Sequence, residues 1–548
     1  MTASQGGGAA TVAALVRSRA EDHNVGLVSG DRSWTWGEVV AEAATRAAWM
    51  RATLDPERPP HIGVLLPNVP EYVFQIFGAA LAGACIVGVN PTRRGAELAR
   101  DISHTSCQFV VSDSTYGDLV EGSVRVEDAP WSDFGGAALP DADPAPSALL
   151  FLLLTSGSTS APKAAKCSQA RLAGAGGKMG LGAKAVLYCP MTLAHGNALN
   201  ATLFPALAGG SRLVLRDRFS AGAWLDDVRT HGVTFTATVG RALGYILATP
   251  PTPHDRDHRL KAVLAPEASP RDTADFGERF GVTVVSGYGS SEGGIVLMPS
   301  TKSGSLGLAP PGADIAVVDE SGVDCETAQF DSAGRLCNAA AAIGELVRRD
   351  AAGSFEGYWN NPGAESDRLR GGWFWSGDLG YRDADGVFWF AGRVGDWLRV
   401  DSENFAVGPV ERIVGRFPDA AAVAVVGVPD PLAGDQILAA IEPVAGRSFD
   451  PEAFATFLDA QPDLGTKWAP RFVRVMSELP VIGQSKINKT PLRRDAWICD
   501  DPVWWRPARS QAYVLMTAAD RDGLRDEFLD HGRIDVHPQP VSPVSEKL

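Results

Sequence analysis

Phe151-Leu152-Leu153-Leu154-Thr155-Ser156-Gly157-Ser158-Thr159-Ser160-Ala161-Pro162-Lys163 runs from four apolar residues through small and hydroxylated ones to a proline and a lysine. The pattern predicts a buried strand emptying into a loop. Side chains this small let successive backbone N–H groups converge on an anion. The hydroxyls of Thr155, Ser156, Ser158 and Thr159 add donors around Gly157, and Lys163 adds a point charge suited to phosphate. The G-x-x-x-x-G-K-[ST] spacing of a P-loop is absent, so that motif does not account for the stretch. Taken alone, the same composition describes a polar surface loop behind a core strand. The surroundings have to decide.

Upstream, short apolar runs alternate with helical spacing. Strands are expected at Ser33–Trp36, His61–Leu66, Ala84–Val89 and Cys107–Val111, and helices at Gly37–Arg51, Tyr72–Gly83 and Gly95–His104. A Pro/Asp/Ala-rich linker, Ala138–Pro146, leads into the opening stretch. Downstream the alternation continues with strands at Val186–Cys189, Arg212–Leu215, Thr234–Val239, Ala262–Leu264 and Thr283–Ser286, and helices at Leu199–Ala208 and Ala221–His231. Strand–helix alternation of this kind predicts an α/β fold with parallel sheets and flanking helices.

From Ile315 the strands shorten and turn signals appear, with Asp383-Ala384-Asp385-Gly386 as a hairpin turn, so a small β subdomain is expected. Beyond Gly395 a small α+β unit follows, ending in the basic loop Gly483–Arg494. The division expected is 1–394 for a large N-terminal domain and 395–507 for a small C-terminal one. Residues 508–548 read as a partly disordered extension.

The 548 residues exceed what one core supports. A net charge of −15 argues against a nucleic-acid binder but leaves room for a local nucleotide pocket. Seven scattered cysteines without a CxxC fit free thiols in a reducing compartment. Met1–Ala10 is polar and glycine-rich, unlike a signal peptide, and no apolar run reaches the roughly 18 residues of a membrane helix. A cytoplasmic protein without a membrane span is expected. The sequence gives no handle on oligomeric state.

Four further stretches carry groups suited to chemistry. Ser286-Gly287-Tyr288-Gly289-Ser290-Ser291-Glu292-Gly293-Gly294 reads as a glycine-rich turn offering a ring to stack on a base, a hydroxyl for phosphate and a carboxylate for Mg²⁺. In Gly372–Gly380, Asp378 sits between glycines, where a carboxylate can accept from two vicinal ribose hydroxyls or cap a turn. Gly392-Arg393-Val394-Gly395-Asp396 offers a donor fork and a hinge glycine. Gln484–Arg493 offers two lysines, Lys486 and Lys489, of which one could reach an active site.

In this order and spacing the five motifs resemble the adenylate-forming superfamily of acyl-CoA synthetases, aryl-acid ligases, luciferases and peptide-synthetase adenylation domains, over about residues 30–507. Gly357-Tyr358, Phe390–Asp396 and Glu403-Asn404 look most like the very-long-chain acyl-CoA synthetase and fatty-acid-transport-protein branch. The resemblance implies a large adenylate-forming fold and a small mobile C-terminal domain. Such enzymes join an acid to AMP, release pyrophosphate and pass the activated group to a second nucleophile, usually CoA. By this resemblance Thr155–Lys163 cradles the β- and γ-phosphates of ATP. Tyr288, between Gly287 and Gly289, lies against adenine, Ser291 contacts phosphate and Glu292 binds Mg²⁺. Asp378 and Arg393 hold the ribose, and Lys486 bridges the acid oxygen and the α-phosphate, preferred over Lys489 because an aliphatic and then a basic residue follow it. His195, with Ala194, Ala265, Pro266 and Gly289, belongs to the acid pocket.

Departures from the family pattern refine the expectation. Ala265-Pro266-Glu267-Ala268 replaces glycines and narrows the acid pocket, while Ala194 stands where the branch has an aromatic and opens it. Ser402 replaces a glycine that turns towards the pantetheine tunnel and so obstructs thiol entry. An acid–CoA ligase for an aryl or medium-chain acid is the first reading. An ATP-dependent diazotase that activates nitrite and transfers it to an aryl amine is the alternative. A non-catalytic nucleotide-binding module is the third.

Overall fold

In the computed structural model the runs His61–Leu65 and Cys85–Gly88 are buried at every position, as strands covered on both faces must be. The described residues are 10–91, 93–155, 163–177, 179–266, 268, 270–300, 302, 304–332, 336–351, 353–393, 397–400, 403–432, 435–461, 464, 467–482, 486–507, 512–531 and 533–538. They divide into two compact units, one formed by Met1–Pro311 with Asp350–Phe374 and the other by Gly312–Arg349 with Trp375–Leu548.

The first unit holds two parallel sheets, each closed by one antiparallel strand. One runs Val124–Arg125, Phe109–Ser112, His61–Leu65, Cys85–Gly88, Leu149–Thr155 and Lys163–Ser168, with only the last pair antiparallel. The other runs Thr283–Val285, Ala262–Leu264, Phe235–Ala237, Val186–Cys189, Arg212–Leu215, Val25–Ser29 and Arg32–Thr35, again with only the last pair antiparallel. The helix Trp36–Thr53 starts on a reciprocal Thr35/Glu38 capping box, which satisfies two backbone donors at its first turn. Pro70–Ala82 begins on proline and stops at Gly83, whose φ of +75° suits the residue after a helix. Its apolar residues are buried all round, as expected of a helix without a solvent face.

Gly88 shows how close the two sheets' connections come. A Cβ there would stand 2.9 Å from Phe151 Cε1 and 3.0 Å from the Ala194 carbonyl, so only glycine lets the loop before His195 lie on the first sheet. The helix expected at Leu199–Ala208 is composite: a short turn Gly196–Ala198, a π-helical segment Leu199–Leu203 and Phe204–Gly209. Pro205 lacks an N–H for the regular ladder, which places the irregular segment just ahead of it.

The second unit contains the short-strand region and the C-terminal residues. Ile315–Val318 and Gly344–Arg348 pair antiparallel, and Trp373–Arg382 pairs antiparallel with Val387–Arg393 through the expected Asp383–Gly386 turn. A five-stranded mixed sheet, Ala420–Pro429, Asp435–Pro443, Phe472–Val475, Val503–Trp505 and Val514–Leu515, has alternate residues in separate cores on its two faces. Val425, Ala439 and Val473 face the helices Val407–Val414 and Pro451–Asp459, while Val426, Leu438 and Phe472 face Leu492, Leu524 and Phe528. The period of two along a strand produces both cores.

Two expectations are revised here. The basic loop Gly483–Arg494 contains a two-residue strand, Lys486–Ile487, and a helix, Lys489–Asp495, started by Asn488, whose side chain accepts from Thr490 N. The chain beyond 507 is not simply an extension: Val514–Leu515 joins the sheet, and the helix Ala518–Asp530 buries Leu524 and Phe528. Residues 508–511 and 539–548 lie outside those described.

Candidate active site

The opening stretch begins and ends in one hairpin. Leu149–Thr155 pairs antiparallel with Lys163–Ser168, and Thr155 stands opposite Lys163 across the ladder. This register delivers Lys163 at the mouth of the loop whatever path the loop takes. Ser156, Gly157, Ser158 and Thr159, with Ser160 to Pro162, lie outside the described residues.

The segment expected as a glycine-rich turn is a second hairpin. Tyr288–Ser290 pairs with Gly293–Leu297, and Ser291-Glu292 makes the reversal. Gly293 at φ +90° and Gly294 at φ +34° supply the backbone conformations that the tight reversal needs. Gly287 and Gly289 flank Tyr288, which is half-buried, and Gly289 is exposed. Arg171 fixes the tip by donating to the Ser291 carbonyl at 2.7 Å and to the Lys166 carbonyl at 2.7 Å.

Residues 354–359 splint the two hairpins together. On one side Lys166 N donates to the Gly357 carbonyl and Trp359 N to the Ala164 carbonyl. On the other, Gly294 N donates to the Ser354 carbonyl, and Gly293 bridges Phe355. The Tyr358 side chain stands between them and is buried. Its hydroxyl donates to Glu292 Oε1 at 2.9 Å, and Lys163 Nζ lies 6.0 Å from the centre of its ring. Burial first, then the Glu292 charge, pushes the phenol well above its ordinary range, so it remains a donor at neutral pH. Glu365 holds the splint in turn, accepting from Tyr358 N at 2.7 Å and from Lys166 Nζ at 3.1 Å.

His195 caps the turn Gly196–Ala198 and is half-buried. Burial lowers its affinity for a proton, so the imidazole is neutral at pH 7. Ala194 is buried against Gly88. Ala265 is fully buried in a cluster with Tyr188, Trp224 and Phe276, and the Pro266 carbonyl accepts from Gly240 N at 2.8 Å. Glu267 lies outside the described residues.

In the second unit Asp378 stands opposite Arg393 in the antiparallel register and is buried. Ser376 Oγ accepts from Asp378 N at 3.0 Å and donates to the Leu346 carbonyl at 2.7 Å. Glu345 accepts from Gly377 N at 2.7 Å, while Gly377 itself sits at φ +73°. The ladder thus fixes the backbone on both sides of the carboxylate. Lys486 pairs with Ile482 in a short antiparallel ladder. The hinge residue Gly395 and Ser402 lie outside the described residues. A cavity of about 670 Å³ in the same unit, lined by Arg474, Arg494, Cys499, Asp501 and Arg521, contains none of the expected site residues. Its buried Arg474 is already paired with Asp501.

Residues 15–359 match the AMP-binding enzyme model, and residues 409–486 match the AMP-binding enzyme C-terminal domain. The chain belongs to the AMP-binding enzyme family. It is 45% identical over 545 residues to the steroid-22-oyl-CoA synthetase of Rhodococcus jostii, covering 95% of this chain and 98% of that protein. It is 42% identical over 515 residues to the medium/long-chain-fatty-acid–CoA ligase FadD17 of Mycobacterium tuberculosis, covering 90% and 98%. Among solved structures, the ATP-bound MatB of Rhodopseudomonas palustris superposes with a TM-score of 0.77 at 21% identity over 88% of this chain and 98% of that one. The benzoate CoA ligase of Burkholderia xenovorans does so with a TM-score of 0.75 at 20% identity, over 88% and 99%. These two show the shared fold. The α/β adenylate-forming architecture is that of this ligase, an ATP-dependent, AMP-forming acid–CoA ligase. These relatives give the nitrite-activating alternative no support. Among the described residues no helix is long and apolar enough to cross a membrane.

Tyr358 is the site residue that sequence reasoning passed over, although Gly357-Tyr358 helped to carry the resemblance. An aromatic behind a glycine carries no chemical signal of its own. Its place beside Glu292 depends on a pairing 66 residues distant in sequence.

Proposed function

We propose that the ligase activates the carboxyl group of a large hydrophobic acid of the steroid side-chain class, with a medium- to long-chain fatty acid as the second choice. Similarity over nearly the whole chain to the steroid-22-oyl-CoA synthetase supports the first, and similarity to FadD17 the second. The first goes beyond the aryl or medium-chain acid expected from the sequence, and the second keeps the medium-chain part of that expectation.

The observation that carries the site assignment is the splinted pair of hairpins, which sets a lysine and a carboxylate around one buried tyrosine. In this reading Thr155–Lys163 holds the β- and γ-phosphates, Tyr288 packs on adenine between Gly287 and Gly289, and Ser291 contacts a phosphate. Asp378 and Arg393 take the ribose hydroxyls. Glu292 would hold the Mg²⁺ through its carboxylate. Among the described residues Tyr358 bonds Glu292 at Oε1, and a single carboxylate fits an ion that is commonly bound through one or two carboxylates together with substrate phosphates. Among the described residues no group of three His, Cys, Asp or Glu could hold a metal by itself. When bound, the ion neutralises charge on the phosphoryl oxygens.

The acid oxygen attacks the α-phosphorus and the bond to pyrophosphate breaks. Lys486 holds both anions together at that moment, and Lys163 stabilises charge gathering on the leaving group. The thiol of CoA then displaces AMP from the acyl carbon, losing its proton. Neutral His195 can hydrogen-bond at the acid pocket without adding charge. The proposed lobes are 1–394 and 395–507, turning about Gly395 between the two steps. A cytoplasmic setting is supported by the seven scattered cysteines, which form no CxxC.

The test is pyrophosphate release and CoA consumption with ATP, Mg²⁺ and a panel of a steroid-22-oic acid, medium- and long-chain fatty acids, benzoate, and nitrite with an aryl amine. The steroid acid is expected to give the highest kcat/KM. Turnover confined to benzoate, or to nitrite without CoA, would refute the substrate assignment.

A further inference from the structure

We propose that Tyr358 is a positioning residue for the metal-binding carboxylate: its hydroxyl locks Glu292 Oε1 so that Oε2 faces the triphosphate. The inference rests on the reading of Glu292 as the Mg²⁺ ligand. Glu292 is buried at the tip of a two-stranded hairpin, and a glutamate has three side-chain torsions that the hairpin alone leaves free. The 2.9 Å bond from Tyr358 removes that freedom at one oxygen. Tyr358 is itself immobilised. Its backbone bridges Ala165, its N–H is held by Glu365, and its ring meets Phe355 edge-on at 5.3 Å between centroids.

The same ring faces Lys163 Nζ at 6.0 Å, at the outer limit of a cation–π contact. One side chain therefore bonds the carboxylate proposed for the metal and reaches, at that limit, the lysine proposed for the phosphates. Hydrogen bonds to the back of a metal ligand commonly change metal affinity by ten- to a hundred-fold, which is the size of effect to look for. Tyr358→Phe deletes the hydroxyl and keeps the ring; Tyr358→Leu removes both.

The measurement is retention of Mn²⁺ by the full-length protein with a non-hydrolysable ATP analogue, read from the free-ion electron paramagnetic resonance signal. It is set beside calorimetric affinity for the analogue without metal. Tyr358→Phe is expected to weaken metal retention by about ten-fold while leaving metal-free nucleotide affinity intact, and Tyr358→Leu to weaken both. Loss of both affinities in Tyr358→Phe would mean that the hydroxyl serves the fold, and would overturn the proposal. Wild-type retention in Tyr358→Phe would also overturn it. Glu292→Gln separates the two levels: if it loses metal while Tyr358→Phe does not, the metal reading stands and the positioning role falls. If Glu292→Gln also retains metal, both fall.

Discussion

Lys489 Nζ donates to Glu411 Oε2 at 2.6 Å, tying the start of the helix Lys489–Asp495 to the helix Val407–Val414. This bond gives one of the two rival lysines a partner within its own unit. Lys486 lies three residues earlier, in the short strand Lys486–Ile487.

By the role proposed for it, Lys486→Ala is expected to abolish acyl-adenylate formation with ATP affinity largely kept. Lys489→Ala is expected to leave adenylation within a few-fold of wild type and to cost about 1 kcal/mol or less of stability, because both partners are partly exposed. Pyrophosphate exchange and urea midpoints on the two variants check the assignment. Equal loss of exchange in both would sink it.

Ser402→Gly addresses the second half-reaction. If the serine side chain crowds the thiol path, its removal raises the rate of thioester formation from preformed acyl-adenylate and leaves adenylation unchanged. Single-turnover kinetics with CoA separate the steps. An unchanged CoA rate shows that the tunnel was never obstructed.

His61 is buried, with Nδ1 at 2.7 Å from the Thr105 carbonyl and its ring edge-on to Trp359 at 4.4 Å. Burial pulls its pKa below the ordinary 6.5, against a smaller opposing effect of the Thr105 contact. The unfolded chain then binds the proton first, so stability is full above about 6.5 and falls as pH drops towards the folded value. His195, His258 and His537 shift in the same direction. His61→Asn, which keeps a donor for Thr105, should show a shallower fall in urea midpoint between about pH 7.5 and about pH 5.5. A slope identical to wild type would remove His61 from the account.

Gly357→Ala tests the splint. Gly357 sits at φ +86°, and an added Cβ would land on Glu365 Oε1, the group that holds Tyr358 N. A loss of about 1–3 kcal/mol is expected from backbone strain alone. Nucleotide affinity should fall with it, because displacing Glu365 releases Tyr358. Thermal unfolding with and without ATP checks both. Full stability in the variant would show that the segment relaxes freely.

The alternation of buried strands and amphipathic helices was legible in the chain, because period and turn chemistry are local. The order of five short motifs sufficed for the family. Two local readings changed. The run Ser286–Gly294 folds as a hairpin because its glycines turn the chain back on itself, which composition does not distinguish from an open turn. The basic segment after Gly483 becomes a helix from Lys489, because Asn488 accepts from the N–H of Thr490 and caps its first turn.

By itself the sequence determined the family and singled out candidates for handling a nucleotide and an acid: a lysine behind a small-residue loop, a carboxylate among glycines, a lysine near the end. Only the tertiary structure decided that Lys163 and Glu292 share one tyrosine. That meeting is made by hydrogen bonds from residues 354–359 to strands far away in sequence. Long-range pairing follows from how the whole core packs, and no window of sequence contains it.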